Sequence, residues 1–301
     1  MSGRADLYER VTNQILEAME KGAAGNRLPW HQSHAEALMP MNAVSRRAYR
    51  GVNVLILWAM QELRGYRSPV WATYKQWQER GAQVRKDEKA ATIVYWNVSD
   101  PKDEATAEER ATERAEESDG KNGRKFFARG YSVFNADQVD GFAPEVVPEL
   151  SAEERIERAD AFFRATGADI RHGGTEAFYE RAQDFIAIPR FEMFREASGY
   201  YATLAHEVAH WTAAKHRLDR DLSGRFGSMA YAAEELVADL GAAFVCASLG
   251  ITAVPRLDHA GYLANWLQLF RDDKRALFTA ASKAQQAADY LHAKQGMELA
   301  A

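Results

Sequence analysis

His206-Glu207-Val208-Ala209-His210, followed by Glu234-Glu235-Leu236-Val237-Ala238-Asp239, decides how this chain is read. Both stretches sit in helical patterns, one from about residue 197 to 216 and one from 229 to 249. Two histidines four apart on a helix lie about 40° apart around its axis and one turn along it, so both imidazoles can reach one metal ion. The intervening Glu207 can then act as general base on a water activated by that metal. Glu235 and Asp239 are again four apart on one helix face. Two helical histidines can also simply fill core hydrogen bonds. The second acidic pair is what favours a metal.

The two segments together resemble gluzincin metallopeptidases, whose second helix carries ExxxD. The resemblance implies Glu235 as third ligand beside His206 and His210, with Glu207 as the catalytic base. It also implies Asp239 as the carboxylate holding the other ring nitrogen of His206, or of His210, a bond that fixes tautomer and ring orientation. The implied ion is Zn2+, with another divalent metal as the alternative, and three protein ligands leave a fourth position for water. His216 competes with Glu235, because it follows His210 at the third-ligand spacing of metzincins, HExxHxxGxxH. Against it, Ala213 stands where metzincins have the glycine that turns the chain, and on a continued helix His216 points about 120° away from His210. Glu234 faces elsewhere and reads as a solvated charge or a helix-cap partner. Tyr231, His259 and Tyr262 are the candidates for stabilising a developing oxyanion.

Around this site, 301 residues suggest two domains. The only cysteine, Cys246, excludes an intramolecular disulfide and fits a reducing compartment. The apolar runs are too short to span a bilayer and the N-terminus lacks an apolar leader, so the expectation is a cytoplasmic protein with no membrane partner. The net charge of −5 argues against nucleic acid only as an average. Residues 1–98 hold 14 Lys/Arg against 9 Asp/Glu, while residues 99–122 hold 4 against 9 and residues 142–301 hold 17 against 23. That asymmetry points to halves with different partners.

Apolar periodicity and stop signals predict helices at about 6–21, 52–64 and 70–80, then a strand at 91–98. Residues 99–122 contain no Val, Ile, Leu, Phe, Tyr or Trp and read as a mobile acidic insertion. KFFARGYSVFN (125–135) is expected to pair with the strand before the insertion. These elements make a first domain of 5–141, followed by a proline-bearing linker at 142–150. The second domain, 151–301, opens on a Ser151/Glu154 capping box, passes through short strands at 169–189 and is then nearly all helix. The fold class expected is α+β: an N-terminal α+β DNA-binding domain and a C-terminal, mainly helical, zincin-like metallopeptidase domain with a small sheet.

The basic half interleaves cations with rings, the pattern of single-stranded nucleic-acid binding. Arg46, Arg47 and Arg50 cluster with Tyr49; Trp71 and Tyr74 follow, then Lys86 and Lys89. The segments NAVSRRAYRGVNVLILW, WATYKQWQERGAQVRKDEKA and YSVFNADQVDG resemble the N-terminal domain of ArdC-type antirestriction proteins, a domain shared with TraC-type primases. HEVAHWTAAKHRLDRDL and AEELVADLGAAF resemble the zincin-type peptidase domain that follows it in that family. The resemblance implies single-stranded DNA as partner, a metallopeptidase fold, and protection of incoming plasmid DNA from host restriction. Within it, the three arginines, Lys86 and Lys89 would contact phosphate, and Tyr49, Trp71 and Tyr74 would stack bases. The family tends to carry KGEK where this chain has Lys86-Asp87-Glu88-Lys89. A second function follows from the same residues: a DNA-dependent protease with the logic of SprT-type enzymes, which needs a protein substrate. A third is a DNA binder whose metal is structural.

Overall fold

The computed structural model describes residues 3–23, 28–31, 38–99, 113–118, 125–143, 151–221, 224, 228–251 and 259–295. Contacts divide the chain into two compact units, Met1–Ala18 with Pro40–Glu145 and Met19–Met39 with Val146–Ala301. The expected linker at 142–150 lies outside the described residues from position 144 onward.

α1 (Gly3–Ala23) opens the chain, burying Leu7, Val11 and Ile15 at one-turn spacing within unit 1. Unit 1 continues with β1 (Met41–Asn42), α2 (Val52–Arg64), β2 (Val70–Thr73), α3 (Tyr74–Glu79) and β3 (Gln83–Val84). β4 (Ala91–Ser99), β5 (Glu113–Ser118), β6 (Lys125–Asn135) and β7 (Val139–Asp140) complete it. Its main sheet has the order β1-β2-β6-β4, with β5 also on β6, and β3 pairs separately with β7. β4 and β6 run antiparallel from Ala91↔Val133 to Ser99↔Lys125. α2 is stopped by Gly65 in the left-handed conformation, whose N–H returns to the Gln61 carbonyl. Its Leu57 and Met60 pack on Trp71, Ala91 and Val133.

Two expectations differ here. The helix expected at 70–80 is a strand followed by a short helix. Val70–Thr73 pairs with β1 and β6, and Thr73, in extended conformation, caps the helix that follows by a reciprocal box with Gln76. The stretch expected as a mobile insertion, 99–122, contains β5, paired from Glu113↔Gly130 to Ser118↔Lys125, while its residues 100–112 and 119–122 lie outside the described residues. An edge strand is held by backbone ladder bonds and needs no apolar face of its own.

Unit 2 comprises α4 (Ala152–Ala165), β8 (Asp169–His172), β9 (Phe178–Glu180), β10 (Phe185–Ile188), α5 (Ala197–Trp211), α6 (Met229–Leu249), α7 (His259–Asp272) and α8 (Ala276–Lys294). The Ser151/Glu154 capping box opens α4. β10 pairs in parallel with β8 and antiparallel with β9, which leaves β9 at an edge. α6 is the core helix, buried continuously from Glu235 to Ala247, and it packs against both α5 and α8. At Gly241 a Cβ would stand 3.3 Å from the Cβ of Ala209, so the two site helices approach on small residues. α5 ends at Trp211, short of His216, with Thr212 as its C-cap. Among the described residues no helix is long and apolar enough to cross a membrane.

Candidate metal centre

The 3.6-residue period of α5 brings His206, Glu207 and His210 to α6, which presents Glu234 and Glu235. His206 Nε2 and His210 Nε2 are 3.1 Å apart. Glu235 Oε2 lies 3.4 Å from His206 Nε2, and its Oε1 lies 3.3 Å from His210 Nε2. Two ligands bound at about 2.0–2.1 Å in tetrahedral geometry stand about 3.3 Å from one another. The two imidazole nitrogens already have that spacing, and the Glu235 carboxylate presents one oxygen to each of them at a similar distance, so the three residues form one group of potential metal ligands. Two imidazoles and one carboxylate suit a borderline divalent ion. The residues present fit such an ion.

Electrostatics agree with the geometry. Burial disfavours charge on His210, but Glu234 and Glu235 outweigh it and push its pKa up to about 10. Against its own burial, Glu235 is held far below the ordinary carboxylate range by hydrogen bonds from the two histidines. Such a pocket gathers cations, and a divalent ion takes the place of the proton on His210. Glu207, 3% exposed, shares the wall of a cavity of about 150 Å³ with His206, His210 and Glu235. An ion held there supplies Lewis acidity, polarising a carbonyl and making water nucleophilic near neutral pH. A carboxylate on the wall of such a cavity, as Glu207 is, can accept a proton from an attacking water.

Several supporting residues were not legible beforehand. Glu234, expected to be a solvated charge or a helix-cap partner, lies 3.4 Å from His210 Nδ1 and is clamped by Arg220, which donates Nε at 3.2 Å and Nη2 at 2.8 Å. Arg220 also donates to the Ala209 carbonyl and to Thr212 Oγ1, tying Glu234 to the last turn of α5. Asp239 accepts the Trp30 indole N–H at 2.6 Å, and His31 Nε2 stands 3.3 Å from the same carboxylate oxygen. His216 lies away from the cluster, exposed beside Asp184 and Arg217, so Glu235 and not His216 completes the donor set.

The cavity wall also carries Tyr231 and Tyr179. Tyr231 sits in the first turn of α6, its backbone N–H capped by Ser228. Tyr179 donates to Asp184 and accepts from Arg217. Burial, then the Asp184 hydrogen bond, pushes its pKa up to about 12. The side chains of His259 and Tyr262 lie outside those described.

In unit 1 the predicted contact residues separate. Arg46, Arg47, Arg50, Lys86 and Lys89 are exposed, Arg46 in the left-handed region at φ 59°. Tyr74 is exposed, its ring edge-on to Phe134 and its hydroxyl accepting from Gln83. Tyr49 is half-buried, accepts from Asn42, and has its pKa raised by burial. Trp71 corrects the expectation: at 0% exposure, with Leu57, Ala91 and Val133 around it, its ring is core and cannot receive a base.

Comparison with known proteins matches both units. Residues 5–134 match the N-terminal domain of anti-restriction factor ArdC, and residues 157–283 match the zincin-like metallopeptidase family MPTase-PolyVal. The y4eC protein of Sinorhizobium fredii (strain NBRC 101917 / NGR234) is 51% identical over 290 residues, which is 96% of this chain and 92% of that protein. An Escherichia coli DNA primase TraC is 35% identical over 298 residues, 97% of this chain but 20% of the primase. Crystal structures of the antirestriction ArdC protein from plasmid R388 superpose with TM-scores of 0.74 metal-free and 0.76 with Mn(II) bound. They are 39% and 38% identical and are covered over 98% of their length, against 96% and 97% of this chain.

Proposed function

This chain belongs to the ArdC family of antirestriction proteins, and on that premise we propose that it binds single-stranded DNA through unit 1 and shields incoming plasmid DNA from host restriction. Unit 2 then holds Zn2+ on His206, His210 and Glu235, with Glu207 as base. The observation that carries the metal half is the meeting of two imidazole nitrogens 3.1 Å apart with a Glu235 carboxylate whose oxygens lie 3.3 and 3.4 Å from them, beside a buried glutamate in one cavity. What supports the DNA half is the family match over residues 5–134, together with the exposed cations of that unit. Phosphate contacts make such binding fall with salt. The relatedness to TraC covers a fifth of that primase, and no primase activity is assigned on it.

A second reading, hydrolysis of DNA-bound proteins, is favoured by Glu207 and by β9, which among the described residues is an edge strand and whose Phe178 and Tyr179 line the same cavity. An edge strand offers backbone groups to an extended peptide. The deciding comparison is restriction protection by wild type and Glu207→Ala, with bound metal and single-stranded DNA binding measured on both. On the masking reading Glu207→Ala protects fully and keeps its metal. Loss of protection with metal and DNA binding intact would transfer the function to hydrolysis. Loss of DNA binding in the wild type would remove the masking reading altogether.

A further inference from the structure

We propose that the sheet face carrying Tyr95, Arg129 and Tyr131 is a base-stacking platform for single-stranded nucleic acid, an inference that rests on the single-stranded-DNA reading of unit 1 and gives it a place of contact. Asn53, in the first turn of α2, uses its side chain to bond both the N–H and the carbonyl of Val94, each at 2.7 Å. The helix N-terminus is thereby pinned at Val94, and β4 runs on past it. The next residue, Tyr95, is 57% exposed. The Tyr131 ring meets it edge-on, with centroids 6.1 Å apart and planes at 89°.

Register places a cation beside these rings. Tyr95 pairs directly with Arg129, and Tyr131 follows two residues on, so all three share one face of the β4–β6 pair. Arg129 Nε is buried and meets no hydrogen-bond partner among the described residues. Arg50, exposed, precedes Asn53 by three residues. Tyr95 therefore offers an exposed ring, with Tyr131 edge-on to it and Arg129 opposite it in register, which complements a polyanion whose bases are unpaired. A duplex hides those base faces, so the occupant is a single strand.

The test is binding of a fluorescein-labelled oligothymidylate to the full-length protein at fixed salt, with Tyr95→Ala, Tyr131→Ala, Tyr95→Phe and Arg129→Gln alongside wild type. Loss of a stacked base weakens binding between about 5-fold and about 150-fold, so each alanine variant should fall in that range. Tyr95→Phe keeps the ring and should bind like wild type. Arg129→Gln should reduce the slope of log affinity against log salt by about 0.7, the value of one phosphate contact on a single strand. Photocrosslinking wild type to an oligonucleotide bearing 5-iododeoxyuridine should label Tyr95 or Tyr131, a readout that needs no variant to fold. Wild-type binding with unweakened alanine variants, or crosslinks confined to other residues, would overturn the platform and leave the single-stranded-DNA reading standing. So would equal competition by duplex of the same sequence. A wild type that binds no single strand would overturn that reading itself.

Discussion

Glu234 approaches the ring nitrogen of His210 that faces away from Glu235, and Arg220 holds it there with two charge-assisted hydrogen bonds. A ligand imidazole is oriented by what its second nitrogen meets, and removing such a partner typically costs 10- to 100-fold in metal affinity. Glu234→Gln keeps the shape and removes the charge, so its affinity for Zn2+ should drop by about that range, read by competition with a chromophoric chelator. An unchanged affinity would show that Glu234 serves only Arg220. The same scale explains Asp87, which occupies φ 67° in the Lys86–Lys89 turn where the family tends to carry glycine. A side chain in the left-handed region is strained by roughly 1 kcal/mol, which glycine avoids at some cost in chain entropy. Asp87→Gly should therefore raise the chemical-denaturation midpoint slightly, by up to about 1 kcal/mol in stability, and a lower midpoint would refute this account.

Elements were legible where one element carried its own signal. Gly65 closing α2, the Ser151/Glu154 box opening α4 and the His206-to-His210 spacing on α5 are all local, fixed by helix geometry within a few residues. β2 was not legible, because four residues next to a helix have too little periodicity to separate strand from helix, and their pairing partners lie in β1 and β6. Nor was Arg220, outside any helix, whose meaning depends on a carboxylate fourteen residues on in α6. Helix packing carries a consequence of its own at Gly241. An added methyl there meets Ala209 Cβ at 3.3 Å, with Ala287 Cβ and the Ala284 carbonyl also within 4 Å, and none of these is the end of a flexible side chain. Glycine to alanine gains about 1 kcal/mol of helix propensity, while overpacking a rigid contact costs about 1–3 kcal/mol. Gly241→Ala should be neutral to destabilising by about 2 kcal/mol and should weaken metal binding, since α5 and α6 carry opposite halves of the donor set. Stabilisation with unchanged metal affinity, measured by urea unfolding and metal titration, would count against close approach as the reason for this glycine.

For the molecule as a whole, the chain divides into two units whose composition is not the simple division into first and second halves. Met19–Met39 belongs with unit 2, and the physical reason is Asp239. A carboxylate in the buried core helix needs donors, and Trp30 supplies one at 2.6 Å while its ring lies against Trp266, 6.3 Å between centroids. This pairing spans 209 positions, so no local pattern in the sequence announces it. The expected role of Asp239, a bond to a ligand histidine, came from the resemblance to gluzincins, which had no way to include Trp30. Consequently residues 151–301 expressed alone would leave Asp239 buried without its indole donor, a loss of roughly 1–3 kcal/mol or more for a charged group. That fragment should show a lower unfolding midpoint than the second unit within the full chain, and weaker Zn2+ binding through the Asp239-bearing helix. Trp30→Phe in the full chain localises the cause to this indole, because it removes the N–H together with the five-membered ring and leaves the rest of the segment in place. It should reproduce a substantial part of the fragment's loss in stability, by about 1–3 kcal/mol. If the fragment is as stable and binds metal as tightly as the intact protein, the N-terminal segment is packing without consequence; if Trp30→Phe alone is neutral, the hydrogen bond to Asp239 is not what unit 2 requires of this segment.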